Sequence, residues 1–573
     1  MENRDIARMF KQIADVLEIT GGNQYKVRAY RRAAMNIEGL SKRIEDIYRE
    51  DEKGLREIPG VGEGIAKKIK EIIKTGRLKK HQELLKKVPP ELLELTQITG
   101  VGPKHLKALM DGLNVKNVDD LERVCKEHKV RELEGFGQIT EEKILVALKE
   151  YRGSKGRIKL NEAYSYGNSI VDYLKRGEDK IDRVEIAGSL RRGVETIGDI
   201  DILVSTKDVN EIMDKFTKYP EVKEVLSKGR TKSSVVLRSG LQVDLRNIKK
   251  SEFGSALVYF TGSKLHNIHI RKMAKSKGLK VNEYGVFKGK RLLGSRTEED
   301  VYKSIGLRFI LPELREDRGE IEAASRGKLP RLIELKDIKG DLHMHTKASD
   351  GAHTIAEMAK EAKDRGYEYI AITEHSKAVK VAGGLNEKEL AEHIKRIDKE
   401  NKRIKGINIL KGIEVDIKED GKLDLDDSIL SELDIVIAAI HSKFNMPEDK
   451  MTDRILKAFD NRYVNILAHP TGRLIAKRNP YPLDLERVFK EAKERGIIME
   501  LNSYPDRLDL KDVHCKMAKE IGVKIIISTD AHTKQQLDNI RYGVITARRG
   551  WLEKEDVLNT LEFNRFMKEV KRR

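Results

Sequence analysis

Seven short apolar runs punctuate residues 339–573, and six of them end in histidine or a carboxylate. They are DLHMHT with His343 and His345, YIAITEHS with Glu374 and His375, INILKGIEV with Glu414, LDIVIAAIHS with His441, VNILAHP with His469, and KIIISTDAHT with Asp530 and His532. GIIMELNS is the seventh run. Amphipathic helical stretches separate them, and that alternation predicts a parallel α/β domain. In barrel-like domains of this kind the strand C-termini form the active face. One histidine on an apolar run is ordinarily a packed core residue. Six repeated strand-end placements point instead to a metal cluster. A His/Asp/Glu set without cysteine suits Mn²⁺, Zn²⁺ or Fe²⁺, and the sequence does not choose among them. His353, His393 and His514 fall on predicted helices and are expected at the surface. Lys377 and Arg473 are candidates to orient a phosphate.

The other half differs in charge. Residues 316–573 carry 49 Lys and Arg against 47 Asp and Glu, which leaves 64 against 47 for residues 1–315. The net +19 therefore sits almost wholly in the first half. A basic half of this kind fits a polyanionic partner. At 573 residues the chain exceeds a single core. No apolar run is long enough to span a membrane, and the N-terminus lacks a secretory core, so a cytoplasmic, membrane-free setting is expected. Two distant cysteines, Cys125 and Cys515, leave no disulfide or metal spacing.

Two segments of the basic half share a pattern. IPGVGEGIAKKI (58–69) and ITGVGPKHLKAL (98–109) place Gly60 and Gly62, and Gly100 and Gly102, in a tight turn before a helix. LEGFGQITEEKIL (133–145) is a looser third copy. Glycines there permit the turn and bring backbone N–H groups to the surface, where a DNA phosphate can accept from them. The pattern resembles the helix-hairpin-helix DNA-binding motif.

AGSLRRGVETIGDIDILV (187–204) is the sharpest segment. Asp199 and Asp201 are two apart on a predicted strand, so their carboxylates share one face. Such a pair repels unless a cation intervenes, and Mg²⁺ takes oxygen ligands while bridging substrate phosphates. LQVDLR supplies a third carboxylate, Asp244. Gly188 and Ser189 offer N–H groups and a hydroxyl to a triphosphate, and Arg191 and Arg192 add charge.

Gly188-Ser189 followed by Gly198-Asp199-Ile200-Asp201 resembles the nucleotidyltransferase signature of the family X, polymerase beta-like DNA polymerases. The resemblance implies that Asp199 and Asp201 bind two Mg²⁺ or Mn²⁺ ions and that Asp244 binds the catalytic one. It implies triphosphate contacts from Ser189, Arg192 and Gly198. YFTGSKLHN (259–267) is similar to the family's nucleotide pocket, with Tyr259 and Phe260 at the sugar, Gly262 also binding the nucleotide, and Asn267 and Arg271 near the base pair and template. KVRAYRRAA (26–34) and the first hairpin resemble the family's small N-terminal domain. There Lys68 matches a Schiff-base lysine, with an ordinary DNA-phosphate contact as the favoured alternative, and Lys26 and Tyr30 match phosphate-binding and supporting positions. Three departures stand out: Gly64 replaces a helper lysine, Gln242 an arginine, and Lys264 an acidic residue.

The histidine-rich half resembles the polymerase-and-histidinol-phosphatase (PHP) domain. The nine implied ligands are His343, His345, Asp350, His375, Glu414, His441, His469, Asp530 and His532. Asp350, in KASDG, rests on that resemblance alone. The implied site is a distorted (β/α)7 barrel holding up to three metals for phosphoester hydrolysis.

The expected architecture is multidomain α/β. A helical hairpin domain spans 1–90, a fingers-like hairpin domain 91–150, and a nucleotidyltransferase palm with a mixed sheet 151–251. A small α+β thumb follows at 252–315, a linker at 316–338 and the barrel at 339–573. The expected activity is a monomeric, gap-filling DNA polymerase using dNTPs on gapped or primer-template DNA, joined to a 3′–5′ exonuclease that could also act at abasic sites or on 3′-phosphates. A template-free nucleotidyltransferase, an inert DNA-binding scaffold and a small-phosphoester hydrolase remain alternatives.

Overall fold

A computed structural model describes residues 3–38, 44–58, 60–86, 88–98, 100–154, 156–176 and 180–570. Pro59 and Thr99, each inside a hairpin motif, lie outside them. The chain forms two compact units, residues 1–155 with 473–479, and residues 156–472 with 480–573.

The first unit is helical. Asn3–Ile19 and Gln24–Glu38 are its first two long helices. Ile6, Phe10, Ile13 and Ala14 are buried at helical spacing on the first, and Val27, Tyr30 and Ala34 on the second. Their apolar stripes join one core that runs on through Leu148. The three glycine hairpins share one backbone turn. Val61, Val101 and Phe136 each donate to the carbonyl three residues back, at 2.9–3.0 Å. The first glycine of each motif has φ of +78° (Gly60), +92° (Gly100) or +84° (Gly135), a region closed to most side chains. Helices follow at Glu63–Thr75, Pro103–Leu113 and Gln138–Ser154. Glu141 is fully buried and holds the third hairpin by accepting from the Arg131 backbone (3.0 Å) and side chain (2.8 Å).

The second unit begins with a five-stranded mixed sheet. Its order is Ile181–Ile186, Asp199–Thr206, Gln242–Asn247, Lys232–Leu237 and Val222–Ser227. Only Asp199–Thr206 and Gln242–Asn247 run parallel to one another. Helix Phe253–Thr261 covers it, packing Phe253, Ala256 and Leu257 on Ala187 and Leu203. A three-stranded sheet, Lys280–Asn282, Gly285–Lys288 and Arg291–Gly294, then packs with helices Lys264–Ser276 and Glu298–Ser304. The connector is itself folded: it contains the helix Glu320–Ser325, and its Leu332 joins this small core while Ile333 joins the barrel core.

All seven apolar runs of the second half become parallel strands, paired in sequence order from Gly340–Asp341 to Ile525–Ser528. A parallel bridge between Met344 and Ala531 brings the first strand against the end of the last, so the sheet curls into a barrel. Its interior strands are buried on both faces, as Tyr369–His375 is throughout, and they read as unbroken apolar runs for that reason.

Candidate active sites

The palm centre is a product of strand register. Asp201 pairs directly with Asp244 across the parallel strands, and Asp199 pairs with Gln242. Two of the three carboxylates therefore face each other and the third lies two residues along the same face. Burial, then the neighbouring charges of Asp199 and Asp244, push the Asp201 carboxyl up to about 6. Burial also acts on Asp244, but bonds from Lys232, Ser234 and Gln242 outweigh it and hold that carboxyl below the usual range. Lys232 Nζ lies 2.6 Å from Asp244 Oδ2, and Gln242 Nε2 donates to Oδ1 at 3.1 Å. Gly188, at φ +64°, lies so close that a Cβ there would be 2.6 Å from Asp201 Oδ2. The glycine is dictated by the carboxylate beside it. Gly188–Arg191 is a single helical turn carrying Ser189, and Arg192 follows.

The two arginines of that turn have different surroundings. Arg191 is bidentate to Glu298, at 2.8 and 2.6 Å, and Glu298 is also paired with the fully buried Arg315. It is a structural cation. Arg192 donates to the Thr261 carbonyl at 2.5 Å and to Glu316 at 3.0 Å, which places it at the entry to the YFTGS segment. There the Phe260 ring lies 4.4 Å from the guanidinium of Arg246, Tyr259 is partly exposed, and Asn267 donates to the Tyr259 carbonyl at 2.7 Å. Arg271 is exposed on the following helix, and a Cβ on Gly198 would meet the Arg157 guanidinium at 3.1 Å.

The barrel centre is a cage buried at its base, with Asp350 exposed at its rim. Three groups each bring their ligand atoms within 4.8 Å of one another: His345, Asp350, His375 and His532; His343, His345 and Asp530; and His375, Glu414 and His441. His469 lies beside them, with Nε2 2.9 Å from Glu414 Oε1. All nine expected ligands thus converge at one end of the barrel. Buried ring nitrogens of His343 and His345 and Oε2 of Glu414 lack a well-formed hydrogen bond. The electrostatics agree. Burial opposes charge on His375, but Glu414 and Asp350 raise it to about 10; His345, flanked by two other histidines, is driven by burial down to about 3. Buried carboxylates thus hold protons on imidazoles that a divalent cation would displace, and the donor set fits such ions.

Sequence reasoning passed over Glu500 and Asp416 and gave Glu374 no role of its own. Glu500, on the sixth barrel strand, Ile498–Asn502, is fully buried; it lies 2.6 Å from His343 Nδ1 and accepts from the His469 backbone at 2.6 Å and Ser528 at 3.0 Å. Asp416 contacts His441 Nδ1 at 3.1 Å. Glu374 accepts from Thr346 N at 3.0 Å and from the Ser349 hydroxyl, fixing the loop that presents Asp350. The signal for Glu500 was the strand-end position it shares with the ligands. Two expectations need correction. His393 is buried, with Nε2 3.5 Å from Glu374, because its helix packs that face on the barrel. His353 sits on a bend before a helix.

In the first unit, Lys68 Nζ donates to the Gly64 carbonyl at 3.0 Å and lies 5.9 Å from the Tyr30 ring centroid. Tyr30 is buried and Lys26 is exposed on the same helix. A Cβ on Gly62 or Gly102 would meet nothing, so these turns present open backbone.

Family models match in the same order as the geometry. They are a helix-hairpin-helix domain over residues 1–78, a SAM-like helix-hairpin-helix tandem over 92–150, a DNA polymerase beta palm over 157–267, a DNA polymerase beta thumb over 256–316 and a PHP domain over 341–504. A DNA polymerase/3′-5′ exonuclease PolX from Bacillus subtilis (strain 168) is 40% identical over 98% of this chain and 97% of its own length. The chain belongs to the family X DNA polymerases that carry a C-terminal PHP domain. Shorter relatives match part of the chain. A probable phosphatase of Thermoanaerobacter sp. (strain X514) is 35% identical over 41% of this chain and 96% of its own, and one of Acetivibrio thermocellus is 36% identical over 34% and 78%. Among the described residues, no helix is long and apolar enough to cross a membrane.

Proposed function

We propose that this family X polymerase extends DNA 3′ ends across short gaps and trims 3′ ends with its PHP domain, in base excision repair. The carrying observation is the register that sets Asp201 opposite Asp244, with Asp199 two residues before it and the Gly188 turn against them. Asp199 and Asp201 would hold two divalent ions and Asp244 one of them. Bound Mg²⁺ or Mn²⁺ supplies Lewis-acid activation at the palm, as Mn²⁺, Zn²⁺ or Fe²⁺ does in the PHP cage. In extension a bond forms from the primer 3′-oxygen to the α-phosphorus of a dNTP, and pyrophosphate leaves. Ser189, Arg192 and Gly198 would bind the triphosphate. Tyr259 and Phe260 would line the sugar, Gly262 would also bind the nucleotide, and Asn267 and Arg271 would lie near the base pair and template. Lys26, Tyr30, Lys68 and hairpin glycines Gly60, Gly62, Gly100 and Gly102 would hold DNA phosphates. In the PHP cage Glu500 and Asp416 fix the rings of His343 and His441, and its chemistry adds water across a phosphoester. The protein would work as a cytoplasmic monomer on gapped or primer-template DNA.

The test is a gapped duplex incubated with dNTPs. Asp199→Ala with Asp201→Ala should abolish extension and spare 3′ degradation; His343→Ala should do the reverse. Loss of both activities in either variant would overturn the two-site reading.

A second reading of the PHP cage is favoured by the chain's shorter relatives, which bear the name probable phosphatase. The cage would then remove 3′-phosphates rather than nucleotides. Release of inorganic phosphate from a 3′-phosphorylated primer without shortening of a 3′-hydroxyl primer would establish it.

A further inference from the structure

The palm and the PHP barrel lie in one compact unit, and they meet at the triphosphate turn. Helix Ile540–Arg549 of the barrel lies against Gly193, so close that a Cβ on that glycine would fall 2.2 Å from Ile545 Cγ2. Only a residue without a side chain lets the two elements touch. At the end of this helix Arg549, 6% exposed at its side chain, reaches across the boundary. Its NH1 donates to the Arg192 carbonyl at 2.8 Å and to Glu316 Oε1 at 2.9 Å. That same Glu316 oxygen accepts from Arg192 Nε at 3.0 Å. The other arm of Arg549, NH2, donates to Asp512 Oδ2 at 2.8 Å, an oxygen it shares with Arg318 at 2.9 Å.

The charges in this chain are unequal. Among the described residues Arg192, Arg549 and Arg318 form ion pairs with Glu316 and Asp512 alone, three positive charges against two negative. Arg192 shares its single carboxylate oxygen with Arg549. Were Arg549 absent, Glu316 would be left to Arg192 alone, and a buried pair attracts more strongly as competitors are removed. Arg192 would then be both neutralised and drawn away from an anionic ligand.

We propose that Arg549 of the PHP domain is a positioning residue of the polymerase site, which competes for Glu316 and so weakens its hold on Arg192, leaving Arg192 able to turn to the dNTP triphosphate. This rests on Arg192 as a triphosphate contact, and the experiment separates the two claims. The full-length protein is loaded with a dideoxy-terminated primer-template, and the Kd of the complementary dNTP is measured, with KM and kcat on an extendable primer. Arg192→Ala tests the underlying reading: an unchanged Kd there removes the basis for the proposal. Arg549→Ala should raise the dNTP Kd and KM by about tenfold, with kcat and 3′ degradation moving less than about twofold. Adding Glu316→Gln should restore most of the lost affinity, because the neutral amide no longer captures Arg192. A merely structural role gives the opposite result: the double variant would be worse than the single, and extension and 3′ degradation would fall together. Either that pattern, or a Kd for Arg549→Ala within twofold of wild type while Arg192→Ala binds weakly, overturns the proposal.

Discussion

The palm and the PHP cage both gather acidic and metal-binding side chains at strand ends, yet they are built in opposite ways. In the palm Asp199 is exposed, Asp201 half-buried and Asp244 buried, and among the described residues they form no closed set of ligand atoms. In the cage His343, His345, Glu414 and His469 are at most 2% exposed, and eight of the nine ligands fall into closed groups. The difference matches the hardness and habits of the ions. Mg²⁺ binds through a few carboxylates and completes its sphere with substrate phosphates, so an open site is required. Imidazole ligands suit transition metals, and partners on the other ring nitrogen fix the orientation of each ring. On the proposed function the palm centre would be completed by its substrate, whereas the cage is prearranged by its fold.

Substitutions should separate the two cleanly. The largest effect is expected at the palm, where Asp201→Asn should cut single-nucleotide extension on the order of 10³-fold and leave 3′ degradation within about twofold. A comparable fall in 3′ degradation would break the comparison, since it would mean the centres share a ligand or a step. Next, Glu500→Gln should lower 3′ degradation and metal content of the cage by roughly 10- to 100-fold, because the amide no longer fixes His343. Metal analysis of the dialysed protein, beside a primer-degradation assay, reads both quantities. A third expectation concerns stability. A metal present at a hundredfold its Kd should stabilise the folded chain by about 3 kcal/mol through the cage. Chelation should therefore lower Tm in the wild type and have little effect in His343→Ala, while Asp201→Asn melts as the wild type does with and without chelator.

Most of both sites was legible in the sequence because each depends on short-range periodicity. Asp199 and Asp201 share a face by the two-residue period of a strand, and strand-end histidines follow from strands that all run one way. What was not legible depends on register and tertiary packing. Lys232 reaches Asp244 only because its strand pairs Ser234 with Asp244, which no local pattern states. His393 sits on a helix whose apolar face could not be oriented before the barrel was known, so its burial beside Glu374 was missed. The connector reads as polar linker because several of its contacts are ionic: Glu316 and Arg318 are held by Arg549 and Asp512, more than 190 residues away. Charged residues that pair across domains look the same in sequence as charged residues that face water.

The hairpin unit offers the gentlest test, since in the proposed function it would hold one duplex for both centres. Lys68 is anchored to the Gly64 carbonyl beside Tyr30, and Gly64 stands where the family carries a helper lysine. This placement suits a phosphate contact. Lys68→Ala should weaken binding to gapped DNA a few-fold and reduce the slope of log affinity against log salt by about one. Because the DNA is shared, extension and 3′ degradation at limiting DNA should fall by the same factor, unlike every variant at the palm or the cage. Borohydride treatment with a DNA bearing an abasic 5′ end separates this from Schiff-base chemistry. Wild-type protein that traps covalently, with Lys68→Ala losing the adduct, would make Lys68 a nucleophile and give the first unit a centre of its own. Equal, modest losses in both activities with no adduct would leave two centres fed by a common DNA-holding unit.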